Sequence, residues 1–268
     1  MRGLELVADW PVDNVAAAVV GAASATVGPA DRVFELASVT KLLVAYGVLV
    51  AVEEGAIELD QPAGPPGATV RHLLAHASGL AFDADTVQAE PGVKRIYSSA
   101  GYEVLAEFVA AHTDIAFPEY LRQAVFEPLG MSSSELAGPA GHGARSTLAD
   151  LTRFARELLE PRLISSLGAA TGVQFPELSG ILPGYGMQRP NDWGLGFELR
   201  DGKSPHWTGS RNSARTFGHF GQAGTFLWVD PDLRLGCVVL TDRQFGDWAK
   251  PLWPALSDAL VSEIAPGD

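Results

Sequence analysis

Residues 34–52 read Phe34-Glu-Leu-Ala-Ser-Val-Thr-Lys-Leu-Leu-Val-Ala-Tyr-Gly-Val-Leu-Val-Ala-Val52. From about Ser38 the pattern predicts a helix to Glu54, ended by Gly55. Apolar side chains go all round this helix, so it belongs in a core. Lys41 nevertheless sits in its first turns. A buried ammonium is costly unless paired, and desolvation lowers its pKa. Lysine is also scarce, 4 of the 19 basic residues. Ser38, three residues earlier, puts a hydroxyl on the same helical face as the amine. It lies at the helix N-terminus, where the dipole and free N–H groups favour developing negative charge. A serine hydroxyl is a weak nucleophile until a neighbour takes its proton, and Ser38 with Lys41 supplies that arrangement. A capping serine followed by a lysine snorkelling out of the helix end is the structural alternative, and Ser-x-x-Lys alone does not choose between them.

Residues 14–22 and 32–36 read as short strands around the turn-rich Gly28-Pro-Ala-Asp31. A short helix at 69–75 stops at Ser78-Gly79. Helical patterns recur at about 100–112, 117–127 and 147–159. Pro118 suits the first turn of the second. Ser146 or Thr147 caps the third, with Asp150 near N3. Residues 161–192 carry Pro161, Pro176, Pro183 and Pro190 and read mostly as loop. From Trp193 the period changes to two. Residues 193–199, 215–219, 225–229 and 235–241 read as strands, with Pro231-Asp232 in a turn, and a last helix spans about 248–264. Strands at both ends enclosing a helical middle predict an α+β fold: one antiparallel sheet completed by both termini, flanked by helices, with an all-helical insertion. The expected division is a single domain over 1–268, its sheet part at about 1–60 and 190–268 and its helical part at about 61–189.

The chain has 268 residues, 47% of them hydrophobic, and a mean hydropathy of +0.10. That excludes a wholly disordered chain and allows one or two domains with a large core. Nineteen basic against 32 acidic residues give a net charge of −13, which argues against nucleic acid or an anionic membrane as partner. The single cysteine, Cys237, excludes an internal disulfide framework; in its strand-like run it reads as a buried small hydrophobe. The longest apolar run, Leu42 to Val52, has 11 residues, against the ~18 of a membrane span. The apolar stretch Val15 to Ala25 has some character of a secretory signal. Glu5, Asp9 and Asp13 precede it against Arg2 alone, so it reads as a strand and the protein as cytoplasmic.

The segment Phe34 to Leu43 resembles the nucleophile segment of the penicillin-recognising serine hydrolases. That superfamily holds class C β-lactamases, D-Ala-D-Ala peptidases and β-lactamase-like esterases. The resemblance continues in Val70-Arg-His-Leu-Leu-Ala-His-Ala-Ser-Gly-Leu80 and in Pro91-Gly-Val-Lys-Arg-Ile-Tyr-Ser-Ser-Ala-Gly-Tyr102. It extends through Ser146-Thr-Leu-Ala-Asp-Leu-Thr-Arg-Phe154 to Phe217-Gly-His-Phe-Gly-Gln-Ala-Gly-Thr-Phe-Leu-Trp-Val-Asp-Pro231, in the family's order over about 30–242. It implies the β-lactamase/transpeptidase-like fold, with Ser38 as nucleophile and Lys41 as its activator and proton shuttle. Tyr97 would act with Lys41 as general base, then as acid to the leaving group. A phenol of pKa ~10 is a poor base at neutral pH, and two cations, Lys41 and His219, would lower it. Ser99 stands where the family carries Asn, so binding of an acyl-amide side chain is weakened. His219-Phe220-Gly221 aligns with the family's Lys-Thr-Gly. The partly charged His219 would hold a substrate carboxylate more weakly than lysine does. Gly221 would let substrate approach the backbone, and the N–H groups of Gln222 and Ser38 would form the oxyanion hole.

Other chemistries fit less well. His72 and His76 are four apart, but Leu73 replaces the zinc-protease Glu, and no metal is expected. Gly218, Gly221 and Gly224 lie in a hairpin rather than a strand-to-helix turn, which disfavours a nucleotide. A Gly-x-Ser-x-Gly elbow is missing, which disfavours an ordinary α/β-hydrolase. The expectation is a serine hydrolase that cleaves a small-molecule ester or amide through an acyl-Ser38 intermediate, without metal or cofactor. Small esters rank before β-lactams and D-amino-acid peptides, and the short chain suggests an open pocket. The rival is a non-catalytic penicillin- or peptide-binding homologue.

Overall fold

The structure, a computed structural model, describes residues 1–265. Strands β1 (Val15–Gly21), β2 (Ala25–Val27) and β3 (Val33–Glu35) come first. One 3-10 turn over Ala37–Val39 leads into α1 (Thr40–Glu53). The helices α2 (Val70–Leu74), α3 (Ala100–Thr113), α4 (Phe117–Leu121) and α5 (Glu127–Leu129) follow. Then come β4 (Glu135–Leu136), β5 (Ala144–Thr147), α6 (Leu148–Leu159), α7 (Leu167–Ala170), β6 (Gly180–Leu182) and β7 (Gly186–Gln188). The chain closes with β8 (Glu198–Leu199), β9 (Phe217–Gly221), β10 (Thr225–Asp230), β11 (Leu235–Thr241) and α8 (Ala249–Ile264).

The main sheet is antiparallel in the order β2-β1-β11-β10-β9-β8. Its centre is the pairing of the first and last long strands, with Val15 opposite Thr241 and Gly21 opposite Leu235. Both ends of the chain therefore complete one sheet, as the pattern predicts. Alternation sorts side chains to two faces. Ala16, Ala18, Val20, Val238 and Leu240 pack in a core with α1 and α6. Ala17, Val19, Cys237 and Val239 pack in a second core with Trp253, Leu256 and Leu260 of α8. Cys237 is thus the buried small hydrophobe expected.

Helix α1 is wrapped on all sides, and Thr40 through Ala51 are buried without interruption. Each Leu or Val so buried contributes about 1.5–3 kcal/mol. Thr147, not Ser146, caps α6: its hydroxyl accepts from Asp150 N at 3.2 Å. Helix α6 lies within the sequence stretch 61–189, yet it packs on β1 and β11.

Three elements differ from the sequence reading. The expected helix at 117–127 runs on to Leu129 and widens into one π turn over Arg122–Phe126 between α4 and α5, with Pro128 in the first turn of α5. The expected loop at 161–192 contains α7 and the β6–β7 hairpin. The expected strand at 193–199 pairs regularly only at Glu198–Leu199. Its glycines explain this. Gly196 has φ +88°, and a Cβ there would collide with Ala45 of α1. The segment instead hydrogen-bonds to the helical region, Leu195 N to Ala170 O at 2.7 Å and Gly196 N to Leu74 O at 3.1 Å.

Candidate functional site

Ser38 is presented by a turn held from two sheets. Leu36 N donates to Ala144 O of β5 at 3.0 Å, and Thr225 Oγ1 of β10 donates to Leu36 O at 2.8 Å. Ala37 adopts φ +45°, a left-handed conformation that a non-glycine residue holds only under constraint. The result is a partly exposed Ser38 one turn ahead of a fully buried Lys41. Gly221 closes on this turn: a Cβ there would overlap the Leu36 carbonyl oxygen and lie 3.1 Å from Ser38 N. Glycine is therefore required here by the 36–38 backbone. Gln222 follows at the surface, its Nε2 donating to Phe245 O at 3.1 Å.

Lys41 Nζ has three oxygen neighbours: Ser38 Oγ at 3.5 Å, Ser99 Oγ at 3.0 Å and Gly141 O at 2.7 Å. Burial pushes its pKa down to about 7, against a smaller upward pull from Glu103. Glu103 also sets the Gly141 carbonyl, because its carboxylate accepts from Ala140 N at 3.0 Å and Gly141 N at 2.8 Å. Ser99, expected to contact substrate, is buried beneath Lys41.

Tyr97 brings its ring under Lys41, with Nζ 4.6 Å from the centroid. Its phenol is not acidified as expected. Burial pushes its pKa up, and the neighbouring Ser38 hydroxyl lowers it only in part. His219 corrects the second half of that expectation. Burial, and then Lys41, hold its pKa down at about 3, so the ring is neutral. Its Nδ1 lies 2.6 Å from Phe220 O.

Ser38, Tyr97, His219 and Gln222 share a cavity of about 170 Å³ with Trp193 and Trp207 among its walls. The pocket is small and largely aromatic. Its wall includes Glu198, a residue that sequence reasoning missed. The Glu198 carboxylate is buried against Lys203 Nζ at 2.7 Å, His206 Nε2 at 2.9 Å and Trp207 Nε1 at 2.8 Å. Burial alone would raise its pKa, but His206 and Lys203 outweigh that and hold it at about 2. Glu103 and Gly141 were missed as well. Their one visible signal is the Pro139-Ala-Gly-His-Gly143 turn, which carries no chemistry until it meets Lys41.

His72 and His76 do not converge. His76 leaves α2 in a left-handed conformation and accepts from Ser98 N at 3.1 Å, while His72 pairs with Thr69 Oγ1 at 2.8 Å. Among the described residues no cluster of three or more His, Cys, Asp or Glu side chains could hold a metal ion.

Residues 13–260 match the Beta-lactamase family. The chain belongs to that family, and it is a serine hydrolase acting on ester or amide substrates. A crystal structure of a β-lactamase from Mycobacterium bovis is 59% identical, covers 98% of this chain and 99% of its own, and superposes with a TM-score of 0.96. Penicillin-binding protein 4 of Amycolatopsis lactamdurans is 25% identical over 98% of this chain and 85% of its own length. Esterase EstB of Burkholderia gladioli is 24% identical over 87% of this chain and 83% of its own.

Proposed function

We propose that Ser38 is acylated by small ester substrates, with neutral Lys41 as the base. The carrying observation is the set of three oxygens around Lys41 Nζ. The Gly141 carbonyl can only accept, and Ser99 Oγ accepts the second N–H. A neutral amine then has its lone pair left for the Ser38 proton. As Oγ attacks the carbonyl carbon, that proton passes to Nζ. The oxyanion forms at the N–H groups of Ser38 and Gln222. Collapse breaks the ester C–O bond, and the alcohol leaves with a proton relayed from Lys41 through Tyr97 O–H. Water then releases the acid from Ser38 by the reverse relay.

A short acyl group suits a cavity of about 170 Å³. β-Lactam amide hydrolysis is the second reading, favoured by the descriptions of the Mycobacterium bovis and Amycolatopsis relatives. Ser99 bound to Lys41 and a neutral His219 both weigh against it. No helix among the described residues is long and apolar enough to cross a membrane. Val15–Gly21, the stretch with some character of a secretory signal, is a paired strand of the sheet.

A fluorophosphonate probe is expected to add to Ser38, located by mass spectrometry. Short p-nitrophenyl esters are expected to turn over faster than nitrocefin, and Ser38→Ala to lose at least about a thousandfold of that activity. An unlabelled Ser38 with no ester turnover would leave the binding-homologue reading standing instead.

A further inference from the structure

His219 is 4% exposed and lines the cavity beside Ser38. A carbonyl oxygen only accepts, so the contact with Phe220 O at 2.6 Å fixes the proton on Nδ1. The neutral ring therefore shows a lone pair at Nε2. Among the described residues that buried Nε2 has no hydrogen-bond partner in the protein. Trp193, 1% exposed and in the same wall, has an equally unpartnered Nε1–H. The two rings lie edge to face with centroids 5.4 Å apart. An unpartnered acceptor and an unpartnered donor thus belong to neighbouring rings in the wall of a cavity that Phe82, Tyr97, Trp207 and Phe220 also line. A carboxylate cannot satisfy the acceptor, and it would also meet the ionised Glu198 in the same wall. A hydroxyl can donate to Nε2 and accept from an indole N–H.

Resting on the ester-hydrolase reading, we propose that this cavity selects esters whose acyl chain bears a hydroxyl close to the scissile carbonyl. His219 Nε2 is the acceptor that reads it. Leaving a buried polar group unpaired is what discriminates against the substrate that lacks the hydroxyl.

Three p-nitrophenyl esters of matched length test this: the butyrate, the 3-hydroxybutyrate and the succinate monoester. Expected kcat/KM for the hydroxy ester is about ten- to a hundredfold above the butyrate, with the succinate lowest. His219→Phe should bring the first ratio to near one, whatever it does to both rates. His219→Lys should lift the succinate above the hydroxy ester. Equal turnover of butyrate and hydroxybutyrate by the unaltered enzyme overturns the proposal, as does a ratio unchanged in His219→Phe. A measurement independent of turnover uses Ser38→Ala protein titrated with methyl 3-hydroxybutyrate or methyl butyrate. The ¹⁵N resonance of His219 Nε2 should move with the hydroxy ester alone. That shift without any ester turnover would sink the hydrolase reading and keep the subsite; turnover without the shift would do the reverse.

Discussion

Lys41 is where burial becomes chemistry. Among the described residues its amine has no acidic side chain in hydrogen-bond contact, and desolvation brings the pKa to about 7. Ester turnover should therefore rise with pH through about 7, because only the neutral amine can take the Ser38 proton. Glu103 stabilises the charged form, so Glu103→Gln should move that acid limb to lower pH, read from kcat/KM profiles. An unmoved limb would deny Glu103 its electrostatic hold on Lys41. Stability runs the same way. The unfolded lysine titrates near its usual ~10.4. Between about 7 and that value the unfolded chain binds more protons than the folded one, so stability increases with pH across this window. Lys41→Met removes the buried base, and is expected to abolish turnover while raising the thermal midpoint at pH 7 by a few degrees. A lowered midpoint would mean that the bonds to Ser99 and Gly141 outweigh the desolvation. Ser38 and Lys41 were legible from spacing and scarcity. The protonation states of Tyr97 and His219 were not, since each depends on what surrounds the ring.

Secondary elements were legible where one period runs unbroken. Strand β11 and helix α8 fall within a residue of the pattern, because alternation and helical spacing there face cores that use them directly. The stretch 193–199 alternates equally well and is not a strand for most of its length. Gly196 lets it press against α1 and Gly194 against the end of α7, and the backbone bonds that a strand would use go to Ala170 and Leu74. Gly196→Ala should cost about 2–4 kcal/mol, read as a lower urea midpoint at unchanged slope, because it strains φ and drives a methyl into Ala45. A loss under 1 kcal/mol would show that α1 yields. Since α1 carries Lys41, the variant should also weaken catalysis.

The whole molecule is tied together by β1 against β11, which joins residues more than 200 apart in sequence. Helix α6, from the middle of the chain, lies on those same strands. We expect sheet and helical parts to unfold in one urea transition, with tryptophan fluorescence and far-ultraviolet circular dichroism superimposed. Trp207, Trp228 and Trp253 report on the core under α8, while the dichroism reports largely on the helices. Two separated midpoints would make the helical part an independent unit. The chain by itself determined the sheet completed by both chain ends, the buried helix and the serine and lysine at its start, because periodicity and local spacing travel with the sequence. Folding alone decided what the lysine does. Its partner Gly141 lies 100 residues away, its pKa comes from the loss of water around it, and the His219 proton is held by a carbonyl in a sealed wall. Those quantities depend on neighbours in space, and no spacing along the chain encodes them.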